Sequence, residues 1–109
     1  MSFPVPDRIT PVTDLRRVHF VGIGGAGLSA IARLMQESGV AVSGSDAADS
    51  AVLQALSAEG ITCFVGHAAG HLSNADVVVA STAVRSDNPE IEQAHRLGIP
   101  VWPRSAGLR

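Results

Sequence analysis

The chain has 109 residues, enough for one domain with a buried core. Apolar residues make up 46% of it and charged residues 17%, which is typical of a soluble globular domain and excludes a disordered segment. Ten acidic against eight basic side chains give a net charge of −2, so the chain lacks the positive charge typical of nucleic-acid binding.

The types of basic and sulfur-containing residue narrow the chemistry further. All eight basic residues are arginine, so these residues provide no phosphate-loop lysine and no Schiff-base lysine. The single cysteine, Cys63, cannot form an internal disulfide, which fits a reducing cytoplasm. Neither a membrane-spanning apolar run nor a signal-peptide pattern is present. We therefore expect a cytoplasmic protein without nucleic-acid or membrane partners.

The first 16 residues differ from the rest of the chain. They contain three prolines and no sustained hydrophobic period, and we expect a flexible leader over 1–16. Regular patterning begins at Arg17, so residues 17–109 are expected to form the folded domain.

The first predicted strand and helix occupy residues 18–39. The apolar run 18–21 is typical of a buried parallel strand, with His19 as a buried, hydrogen-bonded histidine. Apolar residues then recur with the spacing of one helix face, at Leu28, Ile31, Ala32 and Met35. Gly39 predicts the helix end, because glycine readily adopts the left-handed conformation.

A second strand, helix and strand follow. Residues 40–43 are predicted to form the second strand. Asp49 or Ser50 can cap a helix that Gly60 ends, and its apolar residues are Val52, Leu53 and Leu56. Residues 61–65 are the third predicted strand, with Cys63 as a small core residue.

The last third contains the most strand-like run, Val-Val-Val-Ala at 77–80. Asp-Asn-Pro-Glu at 87–90 predicts a helix start, because it combines a capping side chain, a proline at the first position and an acid at the positive helix end. The inner face of this helix is expected to comprise Ile91, Ala94 and Leu97. Residues 99–102 predict a fifth strand. Pro100 lacks an amide hydrogen, so it belongs at a sheet edge or at the start of a strand.

Alternation of strands and helices predicts an α/β, Rossmann-like three-layer domain with a five-stranded parallel sheet. Ligands of such sheets bind beyond the carboxyl ends of the strands, where the strand order reverses. The loops after strands one to four are therefore the candidate site.

The loop after strand one carries the main motif. Gly22, Gly24 and Gly27 satisfy G-x-G-x-x-G between a strand and a helix, and the acid Asp46 lies 19 residues beyond. Glycines at these positions allow a tight turn, close approach of backbone amides to an anion, and close packing of helix and strand. The pattern indicates a diphosphate bound at the helix N-terminus, although a merely structural turn gives the same letters.

Polar residues follow the other strands. Asp46 is a candidate acceptor for a ribose hydroxyl, or else a turn residue or cap of the next helix, and Ser45 can serve either purpose. His67 is a candidate contact for base or sugar. A metal shared by His67 and His71 is disfavoured, because no third ligand is nearby. The segment Ser81, Thr82 and Ala83 can contact sugar or phosphates or form a simple turn, and Arg85 can pair with an anion or remain solvated.

The run HFVGIGGAGLSAIA at 19–32 resembles the opening of the Mur ligases of peptidoglycan synthesis, in particular those that join L-alanine to UDP-N-acetylmuramate. Later segments agree in order, with SGSD at 43–46, GH at 66–67, DNPEI at 87–91 and IPV at 99–101. The resemblance covers nearly all of residues 17–108. Two residues depart from the family pattern, Leu28 for methionine and Ala30 for glycine, and both are compatible with packing.

The resemblance implies an N-terminal domain that binds the UDP part of UDP-N-acetylmuramic acid. Other domains would bind ATP, magnesium and L-alanine. ATP would activate the lactyl carboxylate as an acyl phosphate, which the amine attacks to give an amide, ADP and phosphate. The implied UDP-sugar contacts are Gly22, Ile23, Gly24, Gly25, Ala26, Gly27, Leu28, Ser29, Ser45, Asp46, His67, Ser81, Thr82 and Ala83.

The family's G-x-x-G-K-[ST] loop is absent from these residues, as is any lysine. We therefore expect a binding domain without a cofactor, a metal or catalytic residues of its own, and without ligase activity alone. Two alternatives stay open. One is an NAD(P)-binding domain of an oxidoreductase, which the glycine loop and Asp46 equally permit. The other is an interaction module that binds no nucleotide.

Overall fold

A computed structural model of the chain describes residues 15–81 and 83–103. Within these ranges the strands are β1 (Arg17–Val21), β2 (Ala41–Asp46), β3 (Thr62–Val65), β4 (Val77–Ala80) and β5 (Val101–Pro103). The α-helices are α1 (Ala26–Glu37), α2 (Ala51–Ala58) and α3 (Pro89–Leu97). A short 3₁₀ helix, Ala69–Leu72, precedes β4. No helix in the described ranges is long and apolar enough to cross a membrane.

The strands form one sheet in the order β3-β2-β1-β4-β5, and every neighbouring pair is parallel. This confirms the predicted α/β fold class. The strand order reverses around β1, which pairs with β2 on one side and β4 on the other. β5 is an edge strand, as the proline predicted. Pro100 precedes β5, and its carbonyl accepts a hydrogen bond from Val78 N at 2.9 Å.

Each face of the sheet has its own hydrophobic cluster. Phe20 and Val79 point to the face covered by α1 and α2, whereas Val21 and Val78 point to the face covered by α3 and the 3₁₀ helix. Alternate residues of each strand thus reach opposite layers, as the pleat of a strand requires. Cys63 is half-buried and packs against the first cluster.

Two hydrophobic residues lie outside the predicted helix faces. Leu97 is 54% exposed, so its assignment to the inner face of α3 is wrong. It is the last residue of α3, beyond the turn in which Ile91 and Ala94 meet the sheet. Val52 on α2 is also exposed, whereas Leu53 and Leu56 pack in the core as predicted.

The folded unit begins earlier than the pattern predicts. Leu15 is buried in the first cluster, although the predicted leader extends to residue 16. The amides of Arg16 and Arg17 donate to Asp76 Oδ2 at 2.8 and 2.9 Å, which fixes this segment beside β4. These two bonds, from Arg17 and Arg16, lower the pKa of Asp76. The rest of the leader, 1–14, and residues 104–109 lie outside the described residues.

Candidate functional site

A cleft of about 610 Å³ opens at the carboxyl ends of the strands. It lies between the loop after β1, the end of β2, the loop after β4 and the start of α3. Its lining includes Gly22, Gly25, Asp46, His67 and Ser81. Strand order reverses at this point, which is where parallel α/β sheets bind ligands.

The glycine loop is anchored to β2 by its backbone and by one side chain. The amides of Gly22 and Ile23 both donate to the carbonyl of Ser45, at 2.8 and 3.0 Å. The side chain of Ile23 is fully buried over Gly44, where an added Cβ would lie 2.7 Å from Ile23 Cβ. Gly22 has a φ of 85°, a conformation that favours glycine. The loop is therefore held in one position before any ligand arrives.

Helix α1 begins in this loop without a side-chain cap. Its N-cap is Gly25, which forms no capping hydrogen bond, and the first turn contains no acidic residue. The first N–H groups of an α-helix have no carbonyl acceptor within the helix, and the dipole makes this end positive. Such a helix start can accept an anionic group that reaches its amides.

Asp46 connects the end of β2 to the glycine loop. Its Oδ2 accepts a hydrogen bond from Gly24 N at 2.8 Å, and a Cβ at Gly24 would lie 2.7 Å from the same oxygen. The carboxylate also lines the cleft, so it is placed to meet a ligand. Ser50, whose hydroxyl accepts from Leu53 N at 3.1 Å, caps α2. The alternative role of Asp46 as that cap is therefore wrong.

The remaining predicted contacts differ in how they are exposed to the cleft. Ala83 lines the cleft beside Ser81. The side chains of four other residues are buried, so only their main chains are open to a ligand if the side chains stay in place: Ile23, Leu28, Ser29 and Ser45. Thr82 lies outside the described residues, and only the backbone of Ala26 is described.

Glu90 is a buried acid beside the cleft that the sequence analysis did not single out as a site residue. It is fully buried, and its carboxylate accepts four hydrogen bonds. Oε1 contacts His19 Nε2 and Ser45 Oγ, both at 2.6 Å. Oε2 contacts His71 Nδ1 at 2.8 Å and accepts from Ala68 N at 3.1 Å. Its position four residues before the buried Ala94 was the available signal, since residues i and i+4 share a helix face.

Hydrogen bonds keep this buried carboxylate ionised. Burial raises the pKa of Glu90, but the hydrogen bonds from His19, Ser45 and His71 outweigh that effect and lower the pKa to about 2. A buried carboxylate is tolerated when its oxygens are fully hydrogen-bonded in this way. His19 is buried and hydrogen-bonded, as the sequence predicted.

His67 connects this network to the cleft. Its Nδ1 lies 2.8 Å from Ser45 Oγ and 3.7 Å from Glu90 Oε2, and its side chain is 20% exposed. His71 stacks on Phe64, with ring centroids 3.9 Å apart, and is directed toward Glu90. No group of three or more metal-ligating residues suited to an ion occurs within 15–81 and 83–103. His19, His67 and His71 thus surround the carboxylate of Glu90.

Comparison with known families identifies the chain. The family model described as "Mur ligase family, catalytic domain" matches residues 17–109. The chain belongs to the Mur ligase family. A UDP-N-acetylmuramate–L-alanine ligase of Nocardioides is 56% identical over 99% of this Mur ligase chain, and one of Thermobifida fusca is 50% identical over the same share. The chain spans about a quarter of these relatives, 24% and 23% of their lengths.

Solved structures agree with this membership. The UDP-N-acetylmuramate-alanine ligase of Thermotoga maritima is 39% identical, with a TM-score of 0.80 over 82% of this Mur ligase chain and 21% of its own. The UDP-N-acetylmuramate:L-alanyl-γ-D-glutamyl-meso-diaminopimelate ligase of Neisseria meningitides is 30% identical. The match has a TM-score of 0.75 and covers 83% of the chain and 29% of that ligase. The oxidoreductase alternative receives no support.

Proposed function

We propose that this chain provides the binding site for the UDP part of UDP-N-acetylmuramic acid in an ATP-dependent ligase that adds L-alanine to that sugar. The observation that carries the proposal is the uncapped start of α1, which opens into the cleft. The L-alanine ligases among the relatives support the choice of substrate.

The diphosphate is assigned to the glycine loop and the first turn of α1. Residues 22–27 include four glycines, so phosphate oxygens can approach the amides of the first turn of α1 without an intervening side chain. Arg85, on the cleft lining, adds a positive charge at the rim. It pairs with Asp87 at 3.1 Å, and both side chains are strongly exposed. A phosphate can compete for such an exposed pair, because solvent leaves it little net stability.

The nucleoside is assigned to the side of the cleft formed by Asp46 and His67. A carboxylate at the end of the second strand accepts ribose hydroxyls in dinucleotide-binding folds, and Asp46 occupies that position. Ser81 and Ala83, with Thr82 between them, are left for the phosphates or the amino sugar.

ATP, magnesium and L-alanine are assigned to the part of the relatives that this chain does not cover. These 109 residues contain neither a lysine nor a G-x-x-G-K-[ST] loop. We therefore assign no step of the ligation to these residues.

An NMR titration of the 109-residue chain tests the proposal. UDP-N-acetylmuramate and UDP are expected to shift the amide signals of Gly24 to Ser29, whereas NADH leaves them in place. Each productive ligand also raises the melting temperature by mass action. Shifts produced by NADH but not by the UDP ligands would contradict the proposal. An absence of any response at millimolar concentration would favour the interaction module.

A further inference from the structure

The network around Glu90 determines which nitrogen of His67 carries a proton. An ionised carboxylate only accepts hydrogen bonds. Ser45 has a single hydroxyl proton and donates it to Glu90 Oε1 at 2.6 Å. In the second contact of Ser45, at 2.8 Å from His67 Nδ1, its oxygen must therefore be the acceptor. The hydrogen of this bond lies on Nδ1 of His67.

The second ring nitrogen of His67 is left for a ligand. A neutral imidazole has one donor and one acceptor nitrogen, so Nε2 is the acceptor when Nδ1 carries the hydrogen. Nε2 forms no hydrogen bond with any of the described residues, and His67 lines the cleft. The neutral ring of His67 thus presents a lone pair at the place where the nucleoside is proposed to bind.

The backbone on both sides of His67 is fixed as well. The amide of Gly66 donates to the carbonyl of Asp46 at 2.7 Å, and the amide of Ala68 donates to Glu90 Oε2 at 3.1 Å. With the ring bonded to Ser45, His67 is held at three points. Such preorganisation lowers the entropy lost when a ligand binds.

We propose that Glu90, acting through Ser45, is a positioning residue that holds His67 with Nε2 as a hydrogen-bond acceptor for a polar hydrogen of the bound nucleoside. The donor is a ribose hydroxyl or the imide N–H of the base. This inference rests on the proposed function. Glu90 itself is fully buried and absent from the cleft lining, so it acts through its neighbours.

Two serines of β2 give a matched pair of variants. Ser45→Ala removes the link between Glu90 and His67, whereas Ser43→Ala removes an equally short bond, 2.8 Å, from Ser43 to His19 Nδ1 in the same network. Nitrogen-detected NMR of the histidine rings reports the tautomer in each chain. We expect the hydrogen of His67 on Nδ1 in the unchanged chain and in Ser43→Ala, and a substantial Nε2–H population in Ser45→Ala.

Affinity for UDP provides the second readout. Ser45→Ala is expected to raise the Kd for UDP about tenfold, the value of one good hydrogen bond, and Ser43→Ala by less than about twofold. Binding of UDP with an unchanged tautomer or an unchanged Kd in Ser45→Ala overturns the inference and leaves the proposed function standing. If the unchanged chain does not bind UDP, both fail.

Three UDP analogues distinguish the donor: one without the 2′-hydroxyl, one without the 3′-hydroxyl, and one methylated at N3 of the base. The penalty of Ser45→Ala is expected to disappear for the analogue that lacks the hydrogen received by His67. It should persist for the other two. A penalty that persists for all three overturns the acceptor role of Nε2.

Discussion

Two helix starts meet at the same cleft and are built in opposite ways. Helix α1 begins after Gly25, with no capping side chain and no acid in its first turn. Helix α3 begins after Asn88, whose side chain accepts from Glu90 N at 2.9 Å, and carries Pro89 and a buried Glu90 in its first turn. Both have the positive end of a helix dipole.

The difference shows how one physical feature serves two purposes. At the α3 start, protein side chains supply the hydrogen-bond acceptors. The Asn88 side chain accepts from the amide of Glu90, and the Glu90 carboxylate accepts four hydrogen bonds. The α1 start lacks such side chains, so a ligand can supply its negative charge. With the proposed function, the α3 start is expected to contribute mainly to stability and the α1 start mainly to binding, and the following variants separate the two contributions.

The largest expected effect is on stability, from Glu90→Ala. The change leaves His19, Ser45, His71 and the Ala68 amide without their common acceptor, and breaking a buried charged network costs about 3–5 kcal/mol. Chemical denaturation at neutral pH measures the loss. Glu92→Ala, an exposed acid in the same first turn, is the control and is expected to cost less than about 1 kcal/mol. Similar losses in the two variants would show that burial of Glu90 contributes nothing.

The second effect is a dependence of stability on pH. The pKa of Glu90 is lowered from 4.5 to about 2 in the folded chain, so its contribution is full above about pH 4.5 and is lost as the pH falls toward 2. The shift corresponds to about 3 kcal/mol.

Unfolding curves of the unchanged chain and of Glu90→Gln test this dependence. Their stabilities should differ most near neutral pH and converge as the pH approaches 2. Asp76, whose pKa is also lowered, contributes equally to both chains and cancels in the difference. A gap that is constant with pH would contradict the assignment.

The third effect is on binding, from Gly24→Val. The new side chain would enter the space held by Asp46 Oδ2 and obstruct the approach of a diphosphate. We expect the Kd for UDP to rise at least about tenfold while the chain remains folded, which titration calorimetry and circular dichroism can measure. Gly70→Val, in open space on the 3₁₀ helix, is the control. A folded Gly24→Val chain with undiminished affinity would refute the proposed loop contact.

The smallest effect has opposite signs for stability and binding. Gly25→Ser introduces a capping hydroxyl at an extended residue with φ −67°, where an added Cβ makes only ordinary contact with the Gly22 carbonyl. A serine cap exceeds glycine by a few tenths of a kcal/mol, so the melting temperature should rise slightly. UDP affinity should fall, because the serine hydroxyl would accept a hydrogen bond from an amide that the proposed function assigns to the phosphate. A gain in both would show that the α1 start is not the phosphate site.

The two helix starts also show which features could be predicted from the sequence and which could not. The α1 start could be predicted, because its signal is local: glycines of one loop, and an apolar run on each side. The same holds for the sheet, whose strands are short apolar runs between turns. Glu90 was predicted only as an acid at the positive end of a helix. Its burial depends on residues up to 71 positions away, which are brought together by the order of strands in the sheet.

Smaller errors have local causes. The predicted leader ended two residues too late, because Leu15 stands between the charged residues Asp14 and Arg16 and belongs to no apolar run. Leu97 was assigned to a buried face by spacing alone, but α3 ends there and leaves the side chain in solvent. Periodicity describes the middle of an element better than its last residue.

The contact between Ile23 and Gly44 makes these positions a size-complementary pair across two segments of the chain. An alanine at 44 would force the isoleucine, and with it the glycine loop after β1, away from the sheet. Shortening residue 23 to valine would relieve part of this clash. The missing side chain at Gly44 therefore sets the position of a loop on another segment, and substitutions at 44 are best judged together with the residue at 23.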